Sequence, residues 1–105
     1  MGEEKYEVRI FEEVREFIRD LDIKDRAKIA ATIKMMEFGD FQSIEIKTLK
    51  GQIKELIVRS YRIVFFIIKN RIIYFVSGFR KKTQKTPKNE IDNAQKILNI
   101  FKNKK

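Results

Sequence analysis

The stretch GFRKKTQKTP, residues 78–87, places Arg80, Lys81, Lys82 and Lys85 directly after IIYFVS, a run with the composition of a buried strand. Like charges this close repel one another, so the cluster calls for an anion opposite it. Arginine suits phosphate because its guanidinium is a rigid two-pronged donor, but it stays charged and accepts no proton. Lysine ordinarily titrates at about 10.4, and neighbouring cations with partial burial lower that value toward the range where it exchanges protons. A group of this kind can grip a phosphodiester and move a proton on it. Lys50, Lys54, Arg59 and Arg62 are further cations of the preceding strands, and Glu55 is the only carboxylate among the central ones.

Charge is segregated along the chain. Residues 1–40 carry 8 Lys/Arg and 11 Asp/Glu, a net −3, whereas residues 41–105 carry 16 and 4, a net +12. The asymmetry points to a face that meets a polyanion, with nucleic acid ahead of a membrane surface or an acidic protein. The 105 residues are expected to form one domain with one core. A hydrophobic content of 43% excludes a disordered chain. The sequence has no cysteine and no histidine, so a disulfide framework and a thiolate metal site are excluded and no metal or cofactor is expected. No apolar run approaches the roughly 20 residues of a membrane span, and MGEEKYEV lacks the apolar segment of a secretory signal. A cytoplasmic setting follows as the expectation.

The elements that must position these cations are readable from periodicity. YEVRIF alternates as a half-buried strand does. Phe11, Val14, Phe17, Ile18 and Leu21 then fall at helical spacing until DLDIKD breaks the pattern. A second helix is expected from about Asp25, with Ile29, Ile33 and Met36 on one stripe and Gly39 as its stop. Beyond Gly39, SIEIKTL, QIKELIV, YRIVFFII and RIIYFVSGF read as strands, the last three with apolar runs that imply cover on both faces. Lys69-Asn70 is a good turn, because Asn tolerates positive φ, whereas Arg59-Ser60 is a poor one and leaves open a single longer strand across it, one strand fewer in all. Thr86 is expected as N-cap and Pro87 as the first residue of a last helix, with Ile91, Ala94, Ile97, Leu98 and Phe101 on its stripe. The fold class is α+β: a small mixed or antiparallel sheet packed by an N-terminal αα-hairpin, with a C-terminal helix.

This layout and several strings resemble the RelE superfamily of bacterial toxins, nearest to its HigB-like, phage-derived branch. The residues that carry the resemblance are Leu49-Lys50-Gly51, Glu55-Leu56, Tyr61-Arg62, Gly78-Phe79, Lys81-Lys82-Thr83 and Thr86-Pro87, within a match over residues 47–98. Two positions depart from the pattern. Lys54 stands where an aromatic usually precedes Glu-Leu, and Ile57 where an arginine usually follows it.

The resemblance implies a RelE-like fold and a metal-independent endoribonuclease that cuts messenger RNA on the ribosome. A small helix-turn-helix antitoxin encoded beside it would silence it. Such cleavage needs the 2′-hydroxyl deprotonated, the phosphorane charge stabilised and the leaving 5′-oxygen protonated. Arg62 is expected at the transition-state phosphate, Lys81 at proton transfer and Lys82 as a second phosphate contact. Lys50, Lys54, Arg59, Arg80 and Lys85 would widen the RNA-binding face, and Arg62 and Lys81 are expected to reach solvent. Glu55 is either an alternative base or an ion-pair partner of Arg62. Two other readings remain: a ParE-like toxin that poisons DNA gyrase, and a relative that binds RNA or antitoxin without cutting.

Overall fold

The computed structural model describes residues 5–82 and 84–103. Thr83 of the quoted motif lies outside the described residues. So do Lys104 and Lys105, which with Lys102 read from the sequence alone as a frayed, solvated tail.

The elements run β1 (Glu7–Ile10), α1 (Glu12–Arg19), α2 (Ile23–Glu37), β2 (Glu45–Lys50), β3 (Ile53–Val58), β4 (Tyr61–Ile68), β5 (Ile72–Arg80) and α3 (Lys88–Lys102). The five strands form one mixed sheet in the order β1-β5-β4-β3-β2. β1 pairs parallel with β5 and every other pair is antiparallel. The expected α+β architecture is the observed one.

The apolar runs of the central strands are explained by two cores, one on each face of the sheet. Val14, Ile29, Ile33 and Met36 of α1 and α2 pack on Leu56, Val58, Tyr61, Ile63, Phe65, Ile73 and Phe75. Ala94 and Leu98 of α3 pack on Ile53, Val64, Phe66 and Val76. Alternate residues of YRIVFFII thus enter different cores, so no polar period shows in the sequence.

A β-bulge controls which residues face which core. β4 and β5 are in register from Tyr61↔Arg80 to Val64↔Ser77, then shift to Phe65↔Phe75, which leaves Val76 as the extra residue. Val76 and Ser77 both end up on the α3 side, and Phe79 and Lys81 follow that phase. Gly78 falls on the other side, where a Cβ would stand 2.7 Å from the Phe17 ring. Glycine is needed there because α1 lies directly on the strand.

Three helix ends differ from expectation. α2 starts at Ile23, because the Asp22 side chain accepts a hydrogen bond from the Asp25 amide (2.9 Å) and caps the helix two residues early. Thr86 does not cap α3. Pro87 occupies the N-cap position, and the Thr86 hydroxyl points into the interior instead. Lys102 remains helical and donates to the Gln52 side chain (3.2 Å), so it is docked rather than frayed.

Both hairpin turns exist. Lys69 and Asn70 have φ of 57° and 56°, the pair of left-handed residues that a tight two-residue turn needs. Arg59, unfavourable by type, has φ of 56°; its carbonyl accepts from Arg62 Nη1 (2.8 Å), and its guanidinium binds Asp25 (3.0 Å). These contacts offset the roughly 1–2 kcal/mol that an L-residue loses in that region. Replacing Lys69-Asn70 by Asn-Gly, which favours the observed turn, should stabilise the fold by about 1 kcal/mol. Thermal unfolding of K69N/N70G should show the melting point rising by about 4–8 °C.

Candidate nucleic-acid interface and its supporting residues

The cation cluster sits where β5 hands over to α3. Its entry is fixed by the Lys81 amide, which donates to the Ser60 carbonyl (2.7 Å) and continues the β4–β5 ladder past its last pair. Its exit is fixed by Thr86, whose hydroxyl donates to Glu55 Oε1 (2.6 Å) between two buried residues. The first turn of α3 is tied down separately, with Ser77 Oγ donating to Glu90 Oε1 (2.7 Å). Between these anchors opens a cleft of about 530 Å³, lined by Phe79, Arg80, Lys81, Lys82, Lys85, Pro87 and Glu90. Four cations in a partly enclosed space concentrate positive charge on this part of the surface.

Arg80 is positioned by the neighbouring strand. Its guanidinium lies 4.8 Å from the Tyr61 ring centre and donates to Tyr61 Oη (3.2 Å) and Ser60 Oγ (3.4 Å). Tyr61 in turn donates to Asp25 Oδ2 (2.6 Å), and Arg59 holds the other oxygen of that carboxylate. The Asp25 hydrogen bond holds the Tyr61 phenol above its ordinary 10.0; burial adds to the effect and the Arg80 charge opposes it.

Arg62 departs from expectation. It pairs with Phe79 across the strands but does not line the cleft, and its side chain is only 14% exposed. Nη1 donates to the carbonyls of Arg59 (2.8 Å) and Tyr61 (3.0 Å). Nε faces Glu55 Oε2 at 3.8 Å, within ion-pair range but too long for a hydrogen bond, so among the described residues both buried atoms have no hydrogen-bond partner. Glu55 itself is fully buried. The ion-pair alternative for these two residues is therefore the geometry found.

The remaining cations separate. Lys54 is on the α1/α2 side of β3, near the other end of the sheet, where it donates to Thr48 (3.2 Å) and borders Tyr6 and Ile67. Lys50 is opposite Ile53 beside the turn at that same end. Neither meets the cluster, because the β2–β3 turn lies at the opposite end of β3 from the Arg59-Ser60 turn. Arg59 is exposed at that turn and engaged with Asp25. Glu90 is the cleft residue that sequence reading missed. Its only signal was being one of four acids after residue 40.

A family model described as Phage derived protein Gp49-like matches residues 16–99, most of the chain. The chain belongs to the Gp49-like family. An uncharacterized protein of Aquifex aeolicus (strain VF5) is 31% identical over 109 residues, covering 92% of this chain and 81% of that protein. Among solved structures, this Gp49-like protein is similar to RelE in the RelE–RelB complex of Pyrococcus horikoshii OT3. The TM-score is 0.65 at 14% identity, over 73% of this chain and 96% of that one. The Methanococcus jannaschii RelB–RelE complex aligns at 0.60 with 15% identity, over 81% and 95%. The isolated E. coli RelE toxin aligns at 0.57 with 15% identity, over 84% and 97%. The Gp49-like chain thus has the RelE fold. Among the described residues no helix is long and apolar enough to cross a membrane.

Two outcomes follow from the supporting residues of this Gp49-like protein. Arg62→Ala should cost about 3 kcal/mol, because it leaves the Glu55 carboxylate buried without its counter-charge. Adding Glu55→Leu to it should recover most of that loss in urea unfolding. For Tyr61, a raised value in the folded state means that the hydrogen bond stabilises below the unfolded value of about 10. That contribution disappears as pH climbs through the folded value. The stability difference between wild type and Tyr61→Phe should accordingly be largest at pH 8 and shrink in unfolding curves taken above pH 10.

Proposed function

We propose that this protein is the toxin of a type II toxin–antitoxin pair, an endoribonuclease that cleaves messenger RNA on the ribosome and so stops translation in the cytoplasm. A small helix-turn-helix antitoxin, encoded beside it, holds it silent. The observation that carries the proposal is the cleft between β5 and α3, which gathers Arg80, Lys81, Lys82 and Lys85 in one place. The RelE fold supports it, as do the solved relatives in which RelE is seated with RelB.

In this reading the RNA backbone crosses the cleft with its scissile phosphate among the cations. Arg80 offers a guanidinium steadied by Tyr61 and Ser60, and Lys82 and Lys85 add charge. The Lys81 ammonium delivers a proton to the leaving 5′-oxygen. Arg62 acts from below, by neutralising Glu55 and so keeping Thr86 and the cation loop in place. Lys50, Lys54 and Arg59 attract RNA at longer range, an effect that salt screens over about 10 Å at 0.1 M.

The test is growth arrest with mapping of new 5′ ends in cellular messenger RNA. Lys81→Ala should lower cleavage by about 10²–10³, the loss typical of one transition-state donor. Lys96→Ala, on the exposed side of α3, should cleave at the wild-type rate. Intact transcripts together with accumulating gyrase-linked DNA breaks would replace this reading with the gyrase-directed one.

A further inference from the structure

Cutting RNA through its own 2′-hydroxyl requires a group that takes the hydroxyl proton, and the cations of the cleft do not supply one in their charged forms. Arginine is excluded by its permanent charge. A lysine that arrives as ammonium to protonate the leaving oxygen has no room for a second proton. Glu55, the carboxylate that stands out in the sequence, is fully buried, bonded to Thr86 and absent from the cleft wall. One carboxylate does line the cleft, and it belongs to Glu90.

Glu90 is placed as a catalytic base needs to be. It is in the first turn of α3, and its side chain shares the cleft wall with Arg80, Lys81, Lys82 and Lys85. One carboxylate oxygen accepts from Ser77 Oγ at 2.7 Å, and Ser77 is itself buried by the bulge in β5, so the acceptor is held in a single orientation. Among the described residues, the ion pairs of the chain do not include Glu90. A carboxylate next to four cations that is committed to a serine hydroxyl is oriented by that hydroxyl, not spent on neutralising a neighbour.

We propose that Glu90 is the general base of this cleft, acting on the 2′-hydroxyl of a bound RNA, with Ser77 as its positioning residue. The inference rests on the ribonuclease reading above. The Glu90 carboxylate takes the 2′-proton as the 2′-oxygen forms its bond to phosphorus. The bond from phosphorus to the 5′-oxygen breaks, and that oxygen takes a proton from Lys81. The products are a 2′,3′-cyclic phosphate and a 5′-hydroxyl. Glu90 then returns its proton to water as Lys81 regains one. Atoms and charge balance without a metal or an oxidant.

The experiment uses the purified full chain, ribosomes programmed with a short messenger, and a fully 2′-O-methyl copy of that messenger as a probe that binds but cannot be cut. Glu90→Gln keeps the oxygen that accepts from Ser77 and removes only the ability to take a proton. It should lower kcat by about 10²–10⁴, the usual contribution of acid–base catalysis. It should also erase the acid limb of the kcat–pH profile, and bind the 2′-O-methyl probe at least as tightly as wild type because a negative charge has left a cationic cleft. A merely structural role would weaken binding together with rate. Ser77→Ala should lower kcat while keeping the acid limb. Cleavage by Glu90→Gln within about threefold of wild type, or an acid limb that persists in it, would overturn the assignment while leaving the ribonuclease reading intact. A wild-type kcat with no acid limb would do the same, and does not depend on any variant folding. Wild-type protein that leaves the messenger whole would instead remove the ribonuclease reading, and this inference with it.

Discussion

Glu55 carries a carboxylate into the interior between β3 and the start of α3, in the half of the chain whose net charge is +12. A buried ion is costly unless it is paired and hydrogen-bonded. Here the hydrogen bond comes from Thr86, at the end of the cation loop, and the counter-charge from Arg62 on the next strand. Arg62 is held by two carbonyls of the Arg59-Ser60 turn region. One buried charge thus joins β3, β4, the turn between them and the entry to α3. The cations of the cleft are held near one another against their repulsion because both ends of their loop are bonded to this frame.

The layout also separates support from contact. On the α3 side of the sheet, Glu55 and Arg62 lie beneath the loop and do not reach its cleft, whereas Arg80, Lys81, Lys82 and Lys85 form its wall. A second support on the α1/α2 side comes from Asp25, which fixes both Arg59 and Tyr61 and through Tyr61 the guanidinium of Arg80. The cleft is therefore built from both faces of the sheet at once, at the end where the β3–β4 turn, the last residues of β5 and the first turn of α3 converge. At the other end of the sheet Lys54 borders a hollow of about 410 Å³ whose remaining lining is aromatic and aliphatic, so charge is not gathered there.

Much of this was legible from residue types and spacing. Periodicity placed the three helices and the strand segments of the described residues, since burial of one face of a helix and of both faces of a central strand leaves a mark in composition, but the break between β3 and β4 was settled by the fold. Asn70 marked its turn. The charge segregation marked the half that holds the cleft, and the strings around Glu55-Leu56, Tyr61-Arg62 and Lys81-Lys82 marked the family, which the match over residues 16–99 bears out. Thr86 and Pro87 correctly announced a helix start, although the hydroxyl had a stronger partner than the helix. A local cap competes with any buried acceptor that the fold brings close, and Glu55 is 31 residues away in sequence.

What only the tertiary structure decided is which residues share a face. The bulge at Val76 shifts the phase of β5 by one residue, turning Ser77 toward α3 and Gly78 toward Phe17. Nothing in IIYFVSGF announces it, because both faces of that strand are apolar and a change of phase leaves no mark in composition. The same blindness hid Glu90, an ordinary acid in a helical first turn until Ser77 and the cation loop are folded against it. It also made Arg62 look exposed. A sequence lists charges in order along one dimension. Whether a charge faces water, a cleft or another charge depends on register between strands far apart in the chain, and that is set by packing.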